Sequence, residues 1–331
     1  MTRRSRRSKR PGRVAHGLLL IDKAKGCSSF DVIRDLRRQT QVKKMGHTGT
    51  LDPMATGLMV ICVGEGTKLV PYLTADDKTY EAEVTFGIST DSYDAEGEII
   101  AKNTQDELTH LNEERIERAL HHFLGPQTQT PPAFSAIKVN GERLYKKARR
   151  GEEVEVPTRE VIFYTLNLRS FSPQSEGSPA KVRFTVKCSK GTYIRSLASD
   201  LGEQLGVYAH LSQLRRITVG EFSLKRAQLV QEITPESLNS SLIPLIDALP
   251  ALPIITLTEA NLIKVKQGRA IKLPETLKHV KFSVCRAQSF SGVLVALLKN
   301  EAESLKVLRG FNLPSLPPVE GTASQTTCEE T

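Results

Sequence analysis

Apolar and polar residues follow three distinct rhythms along this chain. "HGLLLIDK" (16–23) and "LMVICVG" (58–64) are short continuous apolar runs, the pattern of buried strands. "YEAEVTFG" (80–87) and "KVRFTVKC" (181–188) alternate apolar with polar, as half-buried antiparallel strands do. Helical spacing appears in "SSFDVIRDLRRQT" (28–40), where Ser28 or Ser29 can cap, Asp31 enters the first turn, and Phe30, Ile33 and Arg37 recur. "NEERIERALHHFLG" (112–125) places Ile116, Leu120, Phe123 and Leu124 on one face and predicts a stop at Gly125. "KGTYIRSLASDLGEQLG" (190–206) follows an alternating strand and opens a further helix.

Strands outnumber helices and do not alternate with them as βαβ units. The expected fold is therefore α+β, around a central mixed, largely antiparallel sheet. "FSPQSEGSPA" (171–180) reads as a polar loop or hairpin. "DALPALPI" (247–254) is a proline-marked junction and predicts a domain boundary, with one domain over 17–250 and another over 251–312. Past it come a short helix, "TEANLIKVKQG", and three compact strands, "KFSVCRA", "GVLVALL" and "LKVLRG", a small β-rich module. The Pro-, Ser-, Thr- and Glu-rich segment 313–331 has the composition of a disordered tail.

Charge adds a polyanion to this picture. Net charge is +9, and seven basic residues stand before residue 14 with no acid among them, which leaves the remainder at about +2. Segment 1–16 is expected to be a basic disordered tail that a polyanion attracts. Five scattered cysteines with no CxxC argue against a disulfide framework and a structural zinc site, and predict thiols in a reducing cytosol. No apolar run is long enough to cross a bilayer, and the start lacks a secretory apolar segment, so a cytoplasmic location is expected.

The segment that asks for chemistry is "GHTGTLDPMATG" (46–57). Gly and Pro disfavour helix and strand, so such a stretch suits a loop that holds side chains in a fixed geometry. Pro53 pushes Asp52 out of the helical region. Singly, Asp52 could be a turn former and His47 a structural histidine. Arg195, near the start of the predicted third helix, is a candidate bidentate clamp for the Asp52 carboxylate, which it would hold ionised. "GEGTKL" (64–69) lacks the phosphate-loop spacing, and there is no GxGxxG, HExxH or GxSxG. No cofactor and no metal are therefore expected. In "PPAFSAIKVNGERLYKKARRGEEVEVP" (131–157), Lys138, Arg143, Lys146, Lys147, Arg149 and Arg150 cluster around Phe134 and Tyr145. Cations mixed with aromatics suit a phosphate backbone with stacked bases, and equally suit a solvated charged face.

Six blocks, in order and spacing, resemble the TruB family of tRNA pseudouridine synthases: "GLLLIDKAKGCSSFDV", "GHTGTLDPMATG", "GEGTKL", "DKTYEAEVTFGISTDSYDAEG", "PPAFSAIKVNGERLYKKARRG" and "GTYIRSLASDLG". Ala24 stands where the family usually has Pro. The resemblance implies a pseudouridine synthase fold with a C-terminal PUA-like RNA-binding domain. It implies conversion of a T-loop uridine of tRNA, position 55, to pseudouridine. Asp52 matches the family's catalytic aspartate, Tyr80 the tyrosine that stacks on the base and serves as base at C5, and Arg195 the arginine paired with the aspartate. Lys68, Tyr193 and Leu214 match other pocket residues, and His47 the histidine that helps extrude the nucleotide. Residues 127–152 correspond to an RNA-gripping thumb. The implied partner is the T-arm of tRNA, acted on by a monomer with no obligate protein partner.

Isomerisation retains every atom of the uridine, so one ionised Asp can suffice where glycosidases typically need two carboxylates. Whether Asp52 attacks sugar or ring, or removes a ribose proton, stays open at this point. Three other readings compete. A non-catalytic RNA-binding protein would not need Asp52 and Arg195 together. A guide-RNA-dependent synthase of the dyskerin type shares the catalytic blocks, but the thumb-like insert favours standalone action. A nucleoside hydrolase would need an acidic calcium cluster, which the sequence lacks.

Overall fold

The computed structural model describes residues 14–135, 137–139, 141–144, 150, 152 and 156–314, with backbone alone at 138, 139 and 143. It divides into two compact units between Leu242 and Ile243. In the first, nine strands build one sheet: β1 (Gly17–Lys23), β2 (Met45–His47), β3 (Thr56–Val63), β4 (Lys78–Phe86), β5 (Gly125–Gln129), β6 (Arg159–Ser172), β7 (Lys181–Cys188), β8 (Ala209–Val219) and β9 (Phe222–Ser223). Their order is β1-β3-β8-β4-β7-β6-β5, with β2 on β3 and β9 on β8. The β8–β3 contact, Arg215 to Thr56 and Arg216 to Gly57, is parallel, and the other pairings of this sheet are antiparallel. The mixed, largely antiparallel sheet is thus present.

The longer helices of the described residues in this unit pack on this sheet. Helix α1 (Ser29–Thr40) begins in a capping box between Ser28 and Asp31, and its buried stripe is Val32, Ile33, Leu36 and Thr40. Phe30, which the spacing placed with Ile33, is exposed instead. Helix α2 (Glu113–His122) is capped by Asn112 and buries Ile116, Ala119 and Leu120. It ends before Phe123; Gly125, expected to stop it, opens β5 with φ +89°, and Leu124 is exposed. Helix α3 (Ile194–Leu205) ends on the left-handed Gly206. Leu36, Ile116, Leu197 and Leu201 from these helices share one core with Met59, Ile61, Val84 and Phe184 of the sheet. Each such burial stabilises by about 1.5–3 kcal/mol.

Alternation along β4 divides the sheet's two faces. Tyr80, Ala82 and Val84 join the core. Glu83 turns to the other face, where it is buried yet accepts from Lys181 (3.2 Å), Arg183 (2.8 Å), Ser212 (2.9 Å) and Gln213 (3.2 Å). Burial alone would raise its pKa, but the hydrogen bonds from Arg183, Ser212 and Lys181 outweigh that and hold the carboxyl below its usual range.

Among its described residues the second unit has five strands rather than the three expected: β10 (Ile254–Thr256), β11 (Ile271–Lys272), β12 (Val284–Gln288), β13 (Leu294–Glu301) and β14 (Ser304–Gly310), in the order β10-β12-β13-β14-β11. The two extra strands are only three and two residues long, too short for a periodicity to show. Helix α4 (Glu259–Lys266) contributes Val265 to a separate core. Arg286 donates to the carbonyls of Ile246 (2.5 Å) and Leu252 (2.7 Å). These bonds fasten the proline-marked junction to this unit, so the division falls ahead of Pro244 rather than after Pro250. No helix among the described residues is long and apolar enough to cross a membrane.

Candidate active site

The loop between β2 and β3 carries Asp52, and three side chains from elsewhere fix it. Ser29 Oγ donates to Leu51 O (2.9 Å) and accepts from Leu51 N (2.8 Å). Lys23, wholly buried, donates Nζ to the carbonyls of Ala24 (2.9 Å), Cys27 (2.7 Å) and Pro53 (3.2 Å). Arg216, also buried, donates to Leu58 O (2.7 Å), Gly49 O (3.1 Å) and Thr50 O (3.4 Å). Gly57 sits at φ +100°, where an added Cβ would lie 2.4 Å from Arg216 O, so only glycine lets the loop return against β8. Buried cations thus hold the loop's carbonyls at Gly49, Thr50 and Pro53.

Asp52 is half-buried, and 36% of its side chain still faces solvent. Its Oδ2 lies 3.0 Å from Nε of Arg195, a side chain only 6% exposed. The Nε–H is not aimed for a hydrogen bond, so this contact is ionic. The bidentate clamp anticipated from the sequence is not formed. The guanidinium is shared: Nη1 lies 3.3 Å from Oδ2 of buried Asp94 and donates to Ser92 O (3.1 Å), and Nη2 donates to Phe134 O (3.0 Å). Asp94 is itself fixed through Oδ1, which accepts from Ser92 Oγ (2.7 Å) and Glu96 N (3.0 Å). The consequence is electrostatic. Burial raises the Asp52 pKa above its ordinary value; Arg195 and Lys23 pull it down, while Asp94 pushes it up. Arg195 therefore moderates the burial penalty rather than overcoming it, because it serves two carboxylates.

Tyr80 lies on β4 opposite Arg216, and Leu214 on β8 opposite Ala82, so all four side chains share the face of the sheet that carries the core. Burial pushes the Tyr80 phenol up, with Arg216 opposing and Asp52 adding to the rise. His47, on β2, has its pKa lowered by burial and by Arg216, which favours the neutral ring. Tyr193 ends the turn before α3; Gln129 holds its backbone through two hydrogen bonds, and Arg159 lies 5.2 Å from its ring centroid. Lys68, in the turn Gly64–Leu69, pairs with Glu65 (2.5 Å), which also takes Lys44 (3.0 Å).

In the insert, Lys138 and Arg143 lie on a two-stranded hairpin, and Arg150 pairs with Glu142 (2.8 Å) and Glu152 (2.6 Å). Lys146, Lys147 and Arg149 lie outside the described residues. Sequence reasoning missed Lys23, Asp94, Gln129 and Arg216. The available signal was a cation ending or interrupting a strand whose neighbours are apolar, as in "LLLIDK" and "LRRITV". Among the described residues, no cluster of His, Cys, Asp and Glu could hold a metal ion.

Two family models match adjoining stretches of the chain: the TruB family pseudouridylate synthase N-terminal domain over residues 37–194, and the tRNA pseudouridylate synthase B C-terminal domain over 195–245. The protein named tRNA pseudouridine synthase B of Geobacillus thermodenitrificans is 42% identical over 268 residues, covering 80% of this chain and 88% of that protein. The chain belongs to the TruB family. A relative of the same name from Fusobacterium nucleatum is 40% identical and covers 89% of this chain and 98% of its own length. Solved structures share the fold at lower identity. An H/ACA RNP bound to a substrate RNA containing 2'-deoxyuridine aligns at TM-score 0.65 and 20% identity, over 91% of this chain and 86% of that one. A Cbf5-Nop10-Gar1 complex aligns at TM-score 0.65 and 22% identity, over 89% and 84%. This TruB chain is thus a pseudouridine synthase, an isomerase. Its two TruB models meet between Ile194 and Arg195, inside α3, so that boundary is not a structural one.

Proposed function

We propose that this TruB enzyme isomerises a uridine in the T-loop of tRNA, position 55, to pseudouridine, with Asp52 as the acting group. The observation that carries the reading is a half-buried carboxylate that solvent still reaches, 3.0 Å from a buried guanidinium that a second carboxylate shares. The curated relatives, named tRNA pseudouridine synthase B, support tRNA as the substrate. The reaction breaks C1′–N1 and joins C1′ to C5; the proton on C5 leaves and N1 gains one, so the product is an isomer. The target uridine first leaves its stack, at a cost of a few kcal/mol. Tyr80 and Leu214, on one sheet face, then flank the base, with His47, Lys68 and Tyr193 around the pocket. At rest Tyr80 is a neutral phenol; acting as base at C5 requires its phenolate, which the charge of Arg216 favours. The insert 127–152 grips the T-arm as a thumb, and the second unit is a PUA-like RNA contact. The enzyme acts in the cytoplasm as a monomer.

The test is incubation with an unmodified tRNA transcript and mapping of pseudouridine at nucleotide resolution. The expected product lies in the T-loop and disappears with Asp52→Asn, while RNA binding stays near parental. Substantial turnover by that variant, or a product elsewhere in the tRNA, overturns the proposal.

A further inference from the structure

The base of the insert and the start of α3 are joined by side-chain contacts that the proposed chemistry does not use. Gln129 is the last residue of β5, the strand from which the insert departs, and it is buried. Its amide engages one backbone residue twice: Nε2 donates to Tyr193 O (2.9 Å), and Oε1 accepts from Tyr193 N (2.8 Å). One planar amide thereby fixes the peptide units on both sides of Tyr193. Tyr193 is the N-cap of α3, extended at φ −104° and ψ 111°, and its own side chain makes no capping bond. Arg195 is the second residue of the helix that starts there, and its long side chain magnifies any rotation at Tyr193 into a displacement of the guanidinium.

The returning strand grips the same turn. Arg159, the first residue of β6 and the register partner of Gln129, donates to Gly191 O (3.1 Å) and covers the Tyr193 ring. Two further bonds join the helix's first turn to the departing chain: Ser196 Oγ donates to Thr130 O (2.7 Å), and Arg195 Nη2 to Phe134 O (3.0 Å). A buried Gln satisfied by a single residue's N–H and C=O is a device for orientation, because both bonds are lost together if that residue turns.

We propose that Gln129 is a positioning residue for the isomerisation: by clamping the Tyr193 backbone it aims Arg195 at Asp52, so the root of the RNA-binding insert and the acting carboxylate form one mechanical unit. The proposal rests on the reading of Asp52 and Arg195 given above. It requires both halves of the amide at that reach. Met at 129 keeps the volume and loses both bonds; Asn keeps the amide and withdraws it by one methylene.

The experiment measures single-turnover rate, KM and tRNA affinity for Gln129→Met and Gln129→Asn, with Thr192→Val as the comparison. Thr192 bonds Ser189 O (2.9 Å) and the Cys188 thiol, both at the end of β7 and the turn that follows, so its loss reports the cost of local hydrogen bonds without the link to the insert. Misplacement of a reacting group by about 1 Å costs on the order of 100-fold in rate. The expected result is a fall of about that size for Met and a smaller one for Asn, with KM and affinity unchanged and Thr192→Val at the parental rate. Parental rates for both Gln129 variants overturn the proposal, as do losses that appear only in KM or that Thr192→Val matches. Asp52→Asn in the same assay keeps the two readings apart. If it is inert and the Gln129 variants are parental, this inference falls alone; if it turns over freely, the active-site assignment has failed.

Discussion

Arg195→Met removes one positive charge from between two carboxylates while retaining an unbranched side chain of similar reach. At 3.0 Å and an effective dielectric near 20, the attraction between Arg195 and Asp52 is about 5.5 kcal/mol, and solvent at the partly exposed Asp52 screens it well below that. Asp94 has no such relief. It is 5% exposed, and without Arg195 it becomes a buried charge that water cannot reach, at a cost of about 3–5 kcal/mol. For a domain of this size, about 2–4 °C per kcal/mol translates that into a melting temperature roughly 6–20 °C lower. Two assays separate the two carboxylates. Thermal melting near neutral pH reports Asp94, and adding Asp94→Leu to the variant should recover much of the lost stability without restoring turnover. The pH dependence of kcat/KM, followed as pseudouridine formed on a tRNA transcript, reports Asp52. Removing the largest influence that lowers its pKa moves the acid limb to higher pH. Parental melting by the single variant, no recovery in the double variant, or an unmoved acid limb would refute the reasoning.

Asp52→Asn should be inactive yet melt above the parent near neutral pH. Folding raises this carboxyl's pKa above its ordinary 3.8, so its contribution to stability is fully present below that value and is lost as pH rises through the folded pKa. The gap between variant and parent should close on acidification; an Asn variant less stable than the parent at neutral pH contradicts this. Lys146→Gln and Lys147→Gln should each flatten the plot of log affinity for tRNA against log salt by about 0.7–0.9 per lost phosphate contact. Arg150→Gln should flatten it less, since Glu142 and Glu152 already neutralise that guanidinium. Equal slopes for all three would show that the insert does not grip phosphate as proposed.

Periodicity revealed what local contacts determine. The apolar runs at 17–23 and 58–63 are adjacent antiparallel strands, and Ser28 with Asp31 forms the cap it promised, because each signal depends on neighbours within a few residues. Where a local signal misled, a competing contact had won: Gly125 starts β5 instead of stopping α2, since its left-handed φ turns the chain into pairing with Phe163. The site was half legible for the same reason. A loop dense in Gly and Pro around Asp52 announces itself, but the network that gives the carboxylate its character does not. Asp94 and Arg195 are far apart in the sequence, and Arg216 and Gly49 farther still, so no spacing rule contains them. What the sequence does hold is an anomaly of composition: Lys23 closes an apolar strand, and Arg216 stands in register with a buried tyrosine. Burying an ammonium or guanidinium without partners costs several kcal/mol, so a cation in such company must be satisfied by groups the sequence keeps far away. Here those groups include carbonyls of the Asp52 loop, so the hydrogen bonds that offset the burial of two cations also fix the loop that carries the carboxylate.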